Sequence, residues 1–102
     1  MKIVFAKQDP ATVLKQIASS IGGPTLKNMI SFNLGKNNHL EVTIKKAGTS
    51  HLSFSFHESP QEIIWQLTSQ KIALAHLAFK ATIFERLTNV IERQGGKVID
   101  QH

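Results

Sequence analysis

Between residues 29 and 57 apolar and polar side chains alternate three times over. Ile30, Phe32 and Leu34 share one face of the first run. Leu40, Val42 and Ile44 share one face of the second, with His39, Glu41, Thr43 and Lys45 on the other. Leu52, Phe54 and Phe56 repeat the pattern against His51, Ser53, Ser55 and His57. Side chains point to opposite faces of a strand with a period of two, so such runs predict antiparallel strands with one wet face. Gly35-Lys36-Asn37-Asn38 separates the first two runs as a turn. Paired residues share a face, so Ile44 must pair with an inward residue. Pairing Ile44 with Leu52 leaves Ala47-Gly48-Thr49 as the loop and sets His39 opposite His57.

The flanking segments are expected to cover that sheet. Ile3-Val4-Phe5 reads as a short buried strand. Asp9-Pro10 starts a helix, because the Asp oxygen caps free N–H groups and Pro at the first helical position loses no hydrogen bond. Val13, Leu14, Ile17, Ala18 and Ile21 follow at helical spacing, and Gly22-Gly23-Pro24 ends the run. Ser59-Pro60-Gln61-Glu62 has the form of a capping box. Helical sequence is expected from residue 60 to Arg93, with Gly95-Gly96 as the stop. A straight helix of that length spans about 51 Å. It overhangs a compact domain of this size, so it either breaks, near Thr68-Ser69 or Lys80-Ala81-Thr82, or projects and packs on something else. Val98-Ile99 reads as a final short strand. The expected fold is α+β: one domain over 1–102, with an antiparallel three- or four-stranded sheet, a short N-terminal helix and a long C-terminal helix, in the order β-α-β-β-β-α with a final β optional.

Composition narrows the chemistry. The chain has no cysteine, which excludes disulfides, thiolate metal sites and cysteine nucleophiles. The N-terminal apolar run stops at Lys7, short of the roughly 7–15 apolar residues of a secretory signal, so a cytoplasmic location is expected, with no membrane insertion. The net charge of +5 resides in residues 1–57. A basic half attracts polyanions or acidic surfaces. Lys27, Lys36, Lys45 and Lys46 lie around the strands and turns and are the candidate phosphate contacts of a nucleic-acid-binding protein. The outward face of the strands lacks the aromatic platform that stacks single-stranded bases. The α-β-β-β-α order resembles double-stranded-RNA-binding domains, yet the start of the last helix, where that family carries a basic segment, reads Ser59-Pro60-Gln61-Glu62.

His39, His51 and His57 share the outward face, but no pair has the spacing of a metal motif, and no metal or other cofactor is expected. The seven carboxylates are scattered at caps and surface positions, and no Gly-rich phosphate loop is present. The expectation is that the chain is not an enzyme.

Residues 72–84 are apolar nearly all round, with only His76, Lys80 and Thr82 polar. A helix covering one sheet needs one apolar stripe. The surplus predicts self-association, a homodimer whose interface includes Leu74, Leu77, Phe84 and Leu87, and protein–protein interaction in general. The function expected is a small non-enzymatic binding or adaptor module.

One family likeness follows from the placed strands. Ile30-Ser31-Phe32-Asn33-Leu34-Gly35, Leu40-Glu41-Val42-Thr43-Ile44 and Leu52-Ser53-Phe54-Ser55-Phe56 form a similar series to the central strands of the C-terminal domains of flagellar hook-length control proteins and type III secretion needle-length regulators. Phe84-Glu85-Arg86-Leu87 through Gly95-Gly96-Lys97-Val98 resembles that family's closing helix, glycine and short strand. The resemblance spans about residues 28–100. It implies an export-switch module that contacts a membrane-embedded export-gate protein and changes substrate class without catalysis.

Overall fold

The structure, a computed structural model, describes residues 1–21 and 29–99. Six strands form one antiparallel sheet in the order β2-β3-β4-β5-β1-β6. The strands are β1 Lys2–Ala6, β2 Ile30–Leu34, β3 Leu40–Lys45, β4 Thr49–Glu58, β5 Glu62–Lys71 and β6 Lys97–Ile99. Helix α1 is Pro10–Ser20 and helix α2 is Lys80–Arg93. Two 3-10 segments, Lys36–Asn38 and Leu74–Phe79, complete the described elements. The α+β class stands, with two strands more than the upper expectation.

The largest difference lies in residues 60–79. No helix runs from 60 to 93. Residues 62–71 are a central strand, 74–79 a 3-10 segment, and α-helix begins only at Lys80. The Ser59 hydroxyl does accept the Glu62 amide, at 3.1 Å, as a helix cap would. Here that bond closes a turn between β4 and β5, with the Ser59 amide donating to the Glu62 carbonyl at 2.9 Å. After the turn Ile63 and Trp65 are buried at strand spacing. β-Branched and aromatic side chains suit a pleated, buried surface. The expected 51 Å helix exceeds the longest dimension of the molecule, 41 Å.

The other sequence features fold as their local chemistry dictates. Asp9 caps α1, accepting the Thr12 amide at 3.1 Å and the Thr12 hydroxyl at 2.8 Å, with Pro10 in the first turn. The stop at Gly22-Gly23-Pro24 lies outside the described residues. At the end of α2, Gly95 is left-handed with φ 90°. Its amide bonds the Glu92 carbonyl and that of Gly96 bonds Ile91, both at 3.1 Å, the paired bonds of a Schellman ending. A Cβ on Gly96 would lie 2.7 Å from both Ile91 and the Phe5 ring, so this glycine also lets the chain turn close over the core.

The β3–β4 hairpin keeps the expected faces but not the expected register. Ile44 pairs with Ser50, Val42 with Leu52 and Leu40 with Phe54. The loop is Lys46-Ala47-Gly48, with Ala47 at φ 54° and Gly48 at φ 137°. Leu40, Val42, Ile44, Leu52 and Phe54 are buried, and Phe56 is half-buried. Facing them, α1 contributes Val13, Leu14 and Ile17, and α2 contributes Leu87, Val90 and Ile91. Trp65 sits at the centre. Its ring meets Phe5 edge-on at 6.3 Å and Phe56 at 5.7 Å, and its Nε1–H donates to the Asn38 carbonyl at 2.9 Å.

Replacing Trp65 with Ala is expected to cost about 3–5 kcal/mol in urea unfolding. Trp65→Phe, which keeps an aromatic body but leaves the Asn38 carbonyl without its donor, is expected to cost about 1–3 kcal/mol. A Trp65→Phe variant as stable as wild type would show that the indole hydrogen bond is irrelevant.

Candidate functional site

The chain leaves the sheet at the end of β5 and must cross to the helix layer. A buried polar clasp holds that crossing. The Ala73 amide donates to the Ser50 hydroxyl oxygen at 2.9 Å. Ser50 Oγ lies 2.5 Å from His76 Nδ1, and His76 Nε2 lies 2.6 Å from the Lys46 carbonyl. A carbonyl only accepts, so Nε2 must carry a proton, which in the neutral tautomer makes Nδ1 the acceptor. Nδ1 then accepts from the Ser50 hydroxyl. Each group has a partner, which a buried polar cluster requires, since an unsatisfied member is costly. Ser50 lies on the inward face of β4, opposite Ile44, and its small side chain leaves room for the imidazole.

A serine beside a histidine has the composition of a nucleophilic pair. A nucleophile must be reachable, and Ser50 has 0% of its surface exposed. The second imidazole nitrogen is taken by a backbone carbonyl. This geometry suits tying the Leu74–Phe79 segment to the β3–β4 turn.

What the clasp holds in place is apolar and exposed. Leu74 is 87% exposed, Phe79 61% and Leu77 53%. At three residues per 3-10 turn, Leu74 and Leu77 stack on one side of the segment, while His76 and Phe79 lie on the next. Beside this ledge lies a cleft of about 380 Å³, walled by Met29 and Ile30 at the start of β2, the β3–β4 turn, the 3-10 segment, and Thr82, Ile83 and Arg86 of α2.

The residues singled out from the sequence fall in several places. Leu74 and Leu77 are on the ledge. Phe84 is half-buried against the core under the Lys80 ammonium, 5.8 Å from its ring centre. Leu87 is a core residue of its own chain. These four therefore do not share one helical stripe. Lys36 stands in the β2–β3 turn and Lys45 and Lys46 at the opposite end of β3, about 17 Å apart along that strand alone. Lys27 lies outside the described residues. His39 does not face His57, because the β3–β4 register is two residues from the expected one, with Leu40 opposite Phe54. His39 instead bonds Glu41 at 2.9 Å, and Glu41 also accepts from Ser53. Among the described residues no three His, Asp or Glu side chains are placed to hold a metal ion. Ser50 and His76 were not foreseen. Their one sequence signal is that His76 is a polar residue inside an apolar run.

No protein-family model matches the chain, and no curated protein is similar to it. No described helix is long and apolar enough to cross a membrane.

Ser50→Ala leaves the His76 Nδ1 acceptor and the Ala73 amide without partners and is expected to cost about 1–3 kcal/mol for each group left unsatisfied. His76→Ala in the Ser50→Ala background should cost less than His76→Ala alone, because the pair acts as a unit. Additive losses in denaturant unfolding would show that the two side chains do not interact.

Proposed function

We propose that the protein is a small, non-enzymatic binding module that self-associates through the ledge at Leu74, Leu77 and Phe79. The observation that carries this reading is the concentration of large exposed apolar side chains in one six-residue segment. Contiguous exposed apolar surface marks interaction sites more often than scattered single residues do. The clasp to Ser50 and Lys46 supports it, because a docking surface held by buried hydrogen bonds loses less conformational freedom on association. Charge supports it too. The segment Leu74-Ala75-His76-Leu77-Ala78-Phe79 contains no Lys, Arg, Asp or Glu, so two copies of a basic chain meet there without like charges in direct contact. A two-fold pair brings the same patch together from both copies. The contact differs from a long-helix dimer, since Leu87 is used within its own chain.

The double substitution Leu74→Glu with Leu77→Glu tests the reading. Both side chains are exposed, so unfolding free energy should change by no more than about 0.5 kcal/mol for each, as at surface sites generally. Sedimentation velocity should show wild-type protein shifting from monomer to dimer with concentration and the variant remaining monomeric. A wild-type chain that stays monomeric at every concentration sinks self-association, as does a variant that dimerises like wild type.

A further inference from the structure

We propose that the cleft between the β3–β4 turn and α2 binds a small amphipathic carboxylic acid, with its hydrocarbon part inside and its carboxylate at the mouth. The inference does not depend on self-association through the ledge. The cleft, about 380 Å³, falls in the range of small-molecule pockets. Its walls are mainly apolar, with Ile30, Phe79 and Ile83 among them. His76 also lines it, but both imidazole nitrogens are engaged with Ser50 and Lys46, so the ring offers no free polar atom to a ligand. A ligand body that enters must therefore be apolar, since a polar group inside would lose its water without gaining a partner.

The charge at the cleft has one sign. Lys46 and Arg86 are its only charged lining residues among those described, and both are exposed, which puts their cationic heads at the solvent side. Among the described residues the carboxylates that contact a basic side chain are Glu58, with Lys7, and Glu41, with His39, so neither cation is taken by a described carboxylate. An ammonium at this mouth meets like charge. A neutral head leaves both cations unused. A carboxylate is the small anion whose two oxygens a guanidinium and an ammonium hold well, through charge-assisted hydrogen bonds.

Two-dimensional amide NMR with sodium decanoate is the test, with decanol and decylamine as matched probes and phosphatidylglycerol vesicles as a membrane source of the same anion-plus-chain chemistry. Decanoate is expected to bind saturably and to shift the amides of Ile30, Ala47, Ala75 and Thr82. Decanol should bind about tenfold or more weakly, and decylamine not at all. Lys46→Gln and Arg86→Gln, both at exposed positions, should each weaken decanoate binding about tenfold or more, the loss expected for one charge-assisted hydrogen bond. Thr82→Trp, which places an indole in the cleft from an exposed position, should abolish binding with an unchanged thermal melt. If that variant does not fold, the two Gln variants decide the matter. The vesicles should not retain the protein. Equal binding of decanoate and decanol, unchanged affinity in both Gln variants, no saturable shift by decanoate, or binding to vesicles alone would each overturn the proposal.

Discussion

Strand β5 joins the two halves of the sheet, and the rest of the structure depends on it. On one side it pairs with β4, and on the other with β1, which in turn carries β6. Ile3 and Phe56 both lie opposite Trp65, so the indole is the meeting point of three strands. Its N–H reaches the carbonyl of Asn38, which ties the distant β2–β3 turn to the same centre. Were residues 62–71 helical, β1 would lose its neighbour in the ladder and its backbone N–H and C=O groups would need other partners. A bulge between Ser53 and Phe54 of β4, with Thr68 as the extra residue opposite, adjusts the long β4–β5 pair. The Thr68 hydroxyl bonds the Ser53 carbonyl there, at 3.1 Å.

The connection from β5 to α2 shows how a fold can leave apolar side chains in water without losing local order. A crossing segment has few backbone partners of its own. Here the Ala73 amide, the imidazole of His76 and the Lys46 carbonyl form one hydrogen-bonded chain through Ser50. That chain fixes the segment from beneath while Leu74, Leu77 and Phe79 remain on the outside. The same clasp forms part of the cleft wall. Ledge and cleft therefore share a support, although their proposed occupants differ.

The distribution of basic residues takes on a different meaning in three dimensions. Lys7, Lys36 and the Lys45–Lys46 pair stand in separate places. Lys7 pairs with Glu58 across the β1–β5–β4 region. Lys36 and the Lys45–Lys46 pair lie at opposite ends of β3. Of these, Lys46 has the most specific setting: its side chain stands at the cleft while its carbonyl holds His76.

The sequence by itself determined the parts whose chemistry is local. Asp9-Pro10 starts α1, the alternation of residues 29–57 sets which side chains face the core, and Gly95-Gly96 ends α2 with left-handed backbone and a close approach that only glycine allows. Three things were open at that level. The bond from Ser59 Oγ to the Glu62 amide is common to a helix cap and to a tight turn, so it could not tell which would follow. The apolar residues Ile63, Ile64, Trp65 and Leu67 fit either a helical face or a strand between two neighbours. Tertiary pairing with β1 and β4 decided for the strand, because only there do both sides of β5 find ladder partners while Trp65 reaches Asn38. The hairpin register was open for a related reason. A shift of two residues leaves every side chain on the same face, so alternation cannot distinguish Ile44 opposite Leu52 from Ile44 opposite Ser50. The choice rests with contacts far apart in the chain, since the second register sets Ser50 opposite Ile44, where its hydroxyl meets His76, 26 residues away.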